Sequence, residues 1–338
     1  MRILQAVGIS SAWSIGSVAD IYNVEERGRP LSIYFAGSFT GPMIGPLCGG
    51  FLVERWGWRS VFWLLFVMGC LLLVSIIFVM EETYRDEDFW NKTADDSGVE
   101  SNNDQQSIPS EKTVGKKSLN PFAPLLLLRH PFVFICSMAT ALAFGGMFAI
   151  ENMIPDLYTN TYSMSAGMIG LTFLSPGIGE VVGSVFSGQL SNFFLHKAIN
   201  KRGYAVPEDR LALNVWPAAF LLNPLAFFLW GWPVQLEWSV WVSIIMFGVQ
   251  CFAMVNIFNP ALAYLVDAVH GKGASVTAAA NLVRMVWSCI LSLIANPMTH
   301  AVGPGWVTFL FGILNLVWAF ALLVVKLKGE KLRKYSGY

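Results

Sequence analysis

Two charged residue types stand where hydrocarbon makes them costly, and the chemistry open to them is the movement or pairing of charge. Glu180 interrupts the apolar run "LSPGIGEVVGSVFSG", and Arg284 interrupts "AANLVRMVWSCIL". A carboxylate at mid-membrane costs about 2.5 kcal/mol or more on insertion scales, so Glu180 must face a cavity, find a partner or hold a proton. The last option makes it a proton-carrier candidate; a protonated acid bonded to a neighbouring helix is the structural alternative. Arg284 falls about 15 Å into its run at 1.5 Å per residue. A guanidinium keeps its charge, so it needs an anion or a wet cavity. Pairing with Glu180 or with helix carbonyls would be structural; gating would be functional, and makes Arg284 a proton-coupling candidate beside Glu180.

Other polar residues mark possible binding surfaces. Glu151 and Asn152 precede Pro155 near the expected outer end of a helix, where they could attract a cation or form a solvated rim. Asn256 and Asn259 precede Pro260, at an expected helix break of the kind that binding sites in membrane carriers use. Phe252, Phe258 and Tyr264 lie close by in sequence and could wall an organic cation or simply pack. Asp267 is expected to pin helix ends together.

Several chemistries find no support. His130, His196, His270 and His300 lie in loops or at run ends without a second histidine at metal-ligand spacing. Cys48, Cys70, Cys136, Cys251 and Cys289 fall within apolar runs, with neither a disulfide framework nor a zinc spacing. "GIGEVVG" has the wrong spacing for a dinucleotide loop and no preceding strand. No catalytic grouping, metal or cofactor is expected. A net charge of zero, from 22 basic and 22 acidic residues, gives no case for a nucleic-acid partner.

The elements that must position these residues are read from hydropathy. Of 338 residues, 55% are hydrophobic and 13% charged, which points to a lipid bilayer as the surrounding medium. Nine apolar segments can be marked, at 3–20, 31–52, 59–80, 132–155, 166–190, 212–232, 240–266, 275–297 and 306–326. Most approach the ~20 residues a helix needs to cross hydrocarbon. Basic residues concentrate in alternate connections, at 27–29, 85–129, 197–210, 272 and 326–334, against Arg55 and Arg59 opposite. The positive-inside rule then makes that set, and the C-terminus, cytoplasmic.

Residues 81–131 read as a cytoplasmic linker, whose stretch "RDEDFWNKTADDSGVESNNDQQS" has the composition of disordered chain. Its Asn91-Lys92-Thr93 sequon falls on the cytoplasmic side and is expected to be unused. The resulting domains are a partial three-helix bundle at 1–80, the linker, a six-helix bundle at 132–326 and a basic tail at 327–338. Nine spans with a cytoplasmic C-terminus put Met1 outside with no polar segment to carry it there, so preceding helices are expected to be missing.

Small residues supply a packing signal. Gly37, Gly41, Gly45 and Gly49 recur every four residues beside Pro42 and Pro46, and Gly179, Gly183 and Ser187 repeat the spacing after Pro176. Such ridges let backbones approach closely. Two ridges on opposite sides of the linker suggest halves that pack and slide on one another, with plain tight packing or dimerisation as the alternative.

These stretches carry a resemblance. "GPMIGPLCGGFLVERWGWRSVFW", with Gly41, Pro42, Gly45, Pro46, Gly49 and Gly50, resembles the fifth-helix antiporter motif of the major facilitator superfamily, in the fungal drug:proton antiporter group. "RILQAVG" resembles the fourth-helix Arg-x-x-Gln-x-x-Gly motif of that superfamily. "DIYNVEERGRP", "EETYR", "GQLSNFF", "PEDRL" and "AYLVDA" resemble later segments in the family's order, closest to the multidrug, quinidine and dityrosine exporters of yeasts.

The resemblance implies an all-α integral membrane protein of the major facilitator fold, with helices four to twelve of twelve present. It also implies proton-driven export of a small amphipathic, often cationic, compound by rocking of two halves, in a monomer of the plasma membrane. It assigns Arg2 to proton coupling, beside Gln5. The rival reading is a truncated, transport-inactive membrane protein.

Overall fold

The computed structural model describes residues 28–79, 123–203, 206–211, 215–269 and 273–336. Among them every regular element is helical: α1 (Gly28–Trp56), α2 (Arg59–Val79), α3 (Pro131–Tyr162), α4 (Ala166–Thr172), α5 (Leu174–Arg202), α6 (Val215–Gln235), α7 (Val240–Ala268), α8 (Gly273–Val302) and α9 (Pro304–Tyr335). Short turns of helix at Ala123–Leu126 and Leu127–Arg129 lead into α3, and a 3-10 turn, Pro207–Arg210, lies between α5 and α6. α6 contains a π turn at Ala218–Leu222. Six spans, formed by α3, α4 with α5, α6, α7, α8 and α9, are long and apolar enough to cross a membrane. The first expected span, 3–20, and the linker at 81–121 lie outside the described residues, as do Arg2 and Gln5.

Local chemistry sets the helix ends. Pro131 and Pro304 open α3 and α9, where an amide hydrogen would have no intrahelical acceptor anyway. Ser163, at φ 51°, closes α3, and Gly57, at φ 75°, closes α1 by donating its N–H to the Val53 carbonyl at 3.0 Å. Inside the spans proline does not act as a stop. α1 runs through Pro42 and Pro46, α3 through Pro155 and α7 through Pro260. Neighbouring helices can re-satisfy carbonyls that proline frees in lipid, so the ladder continues past each ring.

Contacts divide the chain into Trp58–Pro121 and the remainder. In the smaller unit α2 carries no charge after Arg59, whose guanidinium stacks 5.4 Å from the Trp58 ring. Trp58 meets Phe62 and Trp63 meets Phe66 edge to face, an aromatic grouping suited to a lipid headgroup boundary.

In the larger unit α3 is the central helix, buried almost without interruption from Phe132 to Met147, with α7, α8 and α9 packed on it. Two apolar clusters fill the interior. One gathers Met147, Phe227, Trp230, Phe247 and Phe311, and the other Phe132, Tyr264, Val276 and Leu322. The outer faces are apolar too. Leu282, Val286, Ile290 and Leu293 on α8, and Leu310, Ile313, Val317, Phe320 and Val324 on α9, are exposed at helical spacing. Stripes of exposed aliphatic side chains this long fit a hydrocarbon solvent and not water. The protein is an integral membrane protein.

The bundle's two ends differ. At one, Trp232, Trp306 and Phe309 stack in a chain, with Trp238 and Trp241 exposed nearby in sequence. At the other, the 3-10 turn inserts three buried charged residues, each paired with a different helix. Glu208 accepts two hydrogen bonds from Arg333 of α9 at 3.0 and 2.9 Å. Asp209 binds Arg202 of α5 at 2.7 Å, and Arg210 donates to Asp267 of α7 at 2.8 Å. Lys326 donates to the Glu208 carbonyl. One short turn thereby ties α5, α7 and α9.

Against this bundle α1 lies along α4 and α5. The glycines that allow it are not those of the expected ridge. A Cβ on Gly50 would come within 2.6 Å of the Ala166 carbonyl, and one on Gly170 within 2.6 Å of the Pro46 carbonyl. A Cβ on Gly41, Gly45 or Gly49 would meet nothing within 4 Å among the described residues. Gly179 and Gly183 face α7, at the backbones of Gly248 and Phe252, instead of α1. Four-residue spacing identifies a ridge but not its neighbour, and here the ridge with open space is one quarter-turn away from the one in contact. At the joint's end the Glu54 carboxylate accepts from the Gly167 amide at 2.9 Å, meeting two unsatisfied needs in one bond.

Gly170→Ala should loosen this joint and lower the melting temperature of the detergent-solubilised chain, whereas Gly45→Ala should be neutral or raise it, by about 0.5–1 kcal/mol of helix propensity. Glu208→Gln should destabilise by about 2 kcal/mol, less than the ~3–5 of a fully buried pair because each partner retains some solvent contact; scanning calorimetry in detergent reads both.

Candidate functional site

The ionisable residues expected in lipid come from three helices that pack on α7 or on each other. Glu180 lies on α5, Glu151 on α3 and Arg284 on α8. Glu180 is 2% exposed, and its Oε2 is buried with no hydrogen-bond partner among the described residues. Glu151 and the Cys251 thiol are near enough to interact electrostatically with it. A buried acid with one further carboxyl and a thiol around it can bind and release a proton without a strong counter-charge to fix its state.

Glu151 sits deeper than its sequence position suggested. α3 does not end near Pro155 but continues to Tyr162, which puts Glu151 about three turns from the helix end. It is half-buried. Asn152 is exposed and donates to the Ser292 carbonyl of α8 at 2.9 Å, so it braces two helices. Asn160 donates to Asp156 at 2.8 Å and His300 lies 3.1 Å from Asp156, which completes a polar rim one to two turns further out.

Arg284 lies about 16 Å along α8 at 1.5 Å per residue. It does not pair with Glu180. Its guanidinium carbon stands 4.5 Å from the Phe144 ring centroid and 4.6 Å from that of Phe258, against side chains of α3 and α7. It donates through Nη2 to Asn281, one turn back on its own helix, while its Nε is buried without a partner among the described residues. No carboxylate of the described residues approaches within 4.0 Å of it.

The expected break at Pro260 is absent, because α7 remains helical from Val240 to Ala268. Asn256 turns its amide back to the Phe252 carbonyl at 2.9 Å, and Asn259 donates to Ser184 of α5 at 3.4 Å, with Oδ1 left buried and unbonded among the described residues. The expected aromatic wall is divided among three places. Phe258 faces Arg284, Phe252 pairs with Phe186 of α5 at 5.6 Å, and Tyr264 is fully buried in the charged-end core against Phe132. Residues 252, 258 and 264 fall on different faces of an unbroken helix, so sequence proximity did not bring them together.

One polar group escaped notice in the sequence. Gln250 of α7 reaches the Ala143 carbonyl of α3 at 3.4 Å and Asn223 of α6 at 3.5 Å. Asn223 donates to Asn315 of α9 at 3.1 Å, which donates in turn to the Phe311 carbonyl at 2.9 Å. Cys251 donates to Gln250 at 3.4 Å. This buried amide chain crosses four helices and ends beside the acid group. Each member is a lone amide in an apolar run, "LLNPL", "GVQCF" and "ILNLV"; three such residues in different spans were the available signal.

Among the described residues no grouping of three or more His, Cys, Asp and Glu side chains could hold a metal ion. What the arrangement offers is a buried acid, a half-buried cation against two adjoining aromatic rings, and amide donors, all within a helical bundle bounded by lipid.

Known proteins share this sequence pattern. The chain is similar to the MFS transporter cpaT of Aspergillus oryzae, at 33% identity over 96% of this chain and 66% of cpaT. It is similar to the efflux pump radE of Floropilus chiversii, at 26% identity over 96% of this chain and 61% of radE. The chain therefore spans just under two thirds of each of these relatives. The MFS transporter OpS2 of Beauveria bassiana is 27% identical over 97% of both chains. The family model described as Major Facilitator Superfamily matches residues 1–292, and with an all-helical, lipid-facing bundle on the page, the chain belongs to the Major Facilitator Superfamily.

Proposed function

We propose that this chain acts in proton-coupled export of small amphipathic organic compounds across the plasma membrane, as a monomer with its C-terminus in the cytoplasm. The observation that carries the reading is Glu180. It is a carboxyl group on the helix that also docks α1, it is almost wholly buried, and one of its oxygens lacks a partner among the described residues. An acid so placed is stable in hydrocarbon when protonated and becomes costly when ionised, unless the surrounding helices open to water. Protonation can thereby favour one arrangement of the bundle and proton release another. The groups facing it, Glu151 and the Cys251 thiol, add no fixed positive charge that would hold it ionised.

Substrate contact falls to Glu151, Asn256, Asn259 and Arg284, whose side chains stand on α3, α7 and α8, together with Gln5; Arg2 completes the coupling path as the resemblance assigns it. Relatives named as MFS transporters and as an efflux pump support export over uptake. The charged end, with Arg202, Arg210 and Arg333, is taken as cytoplasmic by its excess of basic residues.

Yeast cells depleted of their own pumps and loaded with rhodamine 6G or anilinonaphthalene sulfonate provide the test. Cells expressing the chain should lose at least one dye faster than control cells, and a protonophore should abolish the difference. No protonophore-sensitive loss of either dye would favour the transport-inactive reading.

Glu180→Gln should lower uphill efflux on the order of tenfold, about 1.4 kcal/mol, while leaving dye exchange down its own gradient in place. Uphill efflux at the unmodified rate, with unchanged pH dependence, would remove Glu180 from the carrier role.

A further inference from the structure

A charge left unneutralised inside a bundle calls for a source of compensation, and among the described residues Arg284 has less than it needs. Its Nη2 hydrogen bond goes to a neutral amide, Asn281, on the same helix. Among the described residues its buried Nε has nothing to donate to, and no carboxylate lies within 4.0 Å. Contact with the Phe144 and Phe258 rings at 4.5 and 4.6 Å returns part of the lost hydration. A neutral amide and two rings offset less of a half-buried charge than a carboxylate would. The remainder is available to an anion arriving from outside the protein.

The geometry narrows what that anion can be. The guanidinium rests against an aromatic corner, formed by rings on two other helices whose centroids are 6.3 Å apart, which leaves part of its donor fork turned away from the rings. A planar fork of this kind matches the two oxygens of a carboxylate or the face of a sulfonate. The same two rings offer apolar surface to whatever carries the anion, and Phe148 extends it, 5.1 Å from Phe144. Among the described residues neither Glu180 nor Glu151 forms an ion pair with Arg284; these acids interact with each other and with Cys251.

We propose that Arg284, with Phe144 and Phe258, forms an oxyanion subsite that selects aromatic or conjugated organic acids as the compounds this chain carries. This deepens the export reading, on which it rests for the word "carries". The subsite itself is a statement about equilibrium binding and can be tested without transport.

The test uses the full chain in lipid nanodiscs and three naphthalene probes of matched size: naphthalene-2-sulfonate, 2-naphthylmethanol and trimethyl(2-naphthylmethyl)ammonium. Equilibrium dialysis against empty nanodiscs gives the protein-bound fraction of each. The sulfonate should bind at least tenfold more tightly than the alcohol, and the ammonium no more tightly than the alcohol. Arg284→Gln should reduce the sulfonate-to-alcohol ratio to about one, and Arg284→Lys should retain part of it. Phe258→Ala should weaken all three probes, because it removes a plate and not the charge.

Equal binding of sulfonate and alcohol to the unmodified chain would overturn the subsite, and so would a preference that survives Arg284→Gln. If the Arg284 variants fail to fold, the comparison of the three probes on the unmodified chain still decides. An intact anion preference without energised dye efflux would leave the subsite standing and remove the export reading; efflux without anion preference would do the reverse.

Discussion

Hydrocarbon offers polar groups no water, and this one constraint organises the protein. Each donor, acceptor and charge within the bundle must find its partner among the helices or remain costly. The amides of Gln250, Asn223 and Asn315 answer it by bonding one another across α6, α7 and α9. Threonines answer it within a single helix, as when Thr140 returns its hydroxyl to the Cys136 and Ser137 carbonyls. Beside these satisfied groups stand others that are not: among the described residues the buried side-chain atoms without a partner include an oxygen of Glu180 and a nitrogen of Arg284, both on ionisable groups within the spans. A group of this kind is where the chemistry of a membrane protein is expected to lie.

The same constraint explains why α1 and α5 use glycine and proline where a soluble helix would use neither. Attraction between helices in lipid comes from close packing, since apolar burial gives no advantage over contact with acyl chains. Gly50 and Gly170 let the backbones of α1 and α4 approach until carbonyl oxygens lie where side chains would be. At the charged end, where water returns, the fastening is ionic. Glu208, Asp209 and Arg210 each bind a separate helix from one turn of chain.

Six of the nine marked spans, those from 132 onward, were legible because runs of ~20 apolar residues admit few alternatives; 31–52 and 59–80 are helical but not among the six, and 3–20 lies outside the described residues. Residue depth was less legible. Pro155 and Pro260 looked like helix ends, and the rule behind that reading holds for water, where a freed carbonyl and a bent ladder have competing solvent. In the bundle both helices continue, so Glu151 moved inward and the aromatic residues around Asn256 dispersed over separate faces. The glycine ridges were visible as ridges, but spacing along one helix carries no information about which other helix will meet it. Arg284 was recognisable as a charge in need of a partner; that its neighbours would be Phe144 and Phe258, from spans 140 and 26 positions away in sequence, was not. The amide chain was hidden for the same reason, one residue per span.

The π turn at Ala218–Leu222 has a consequence for how α6 can change. A wider turn accommodates an additional residue, and each residue advances a helix by about 100°. The halves of α6 before and after it can therefore keep the facing of an uninterrupted helix while one more residue lies between them, with Asn223 the first residue beyond. Length within this span is thereby forgiving: loss of a single residue along 218–222 would relax the wide turn to an ordinary α turn and leave the Asn223 amide directed at Asn315.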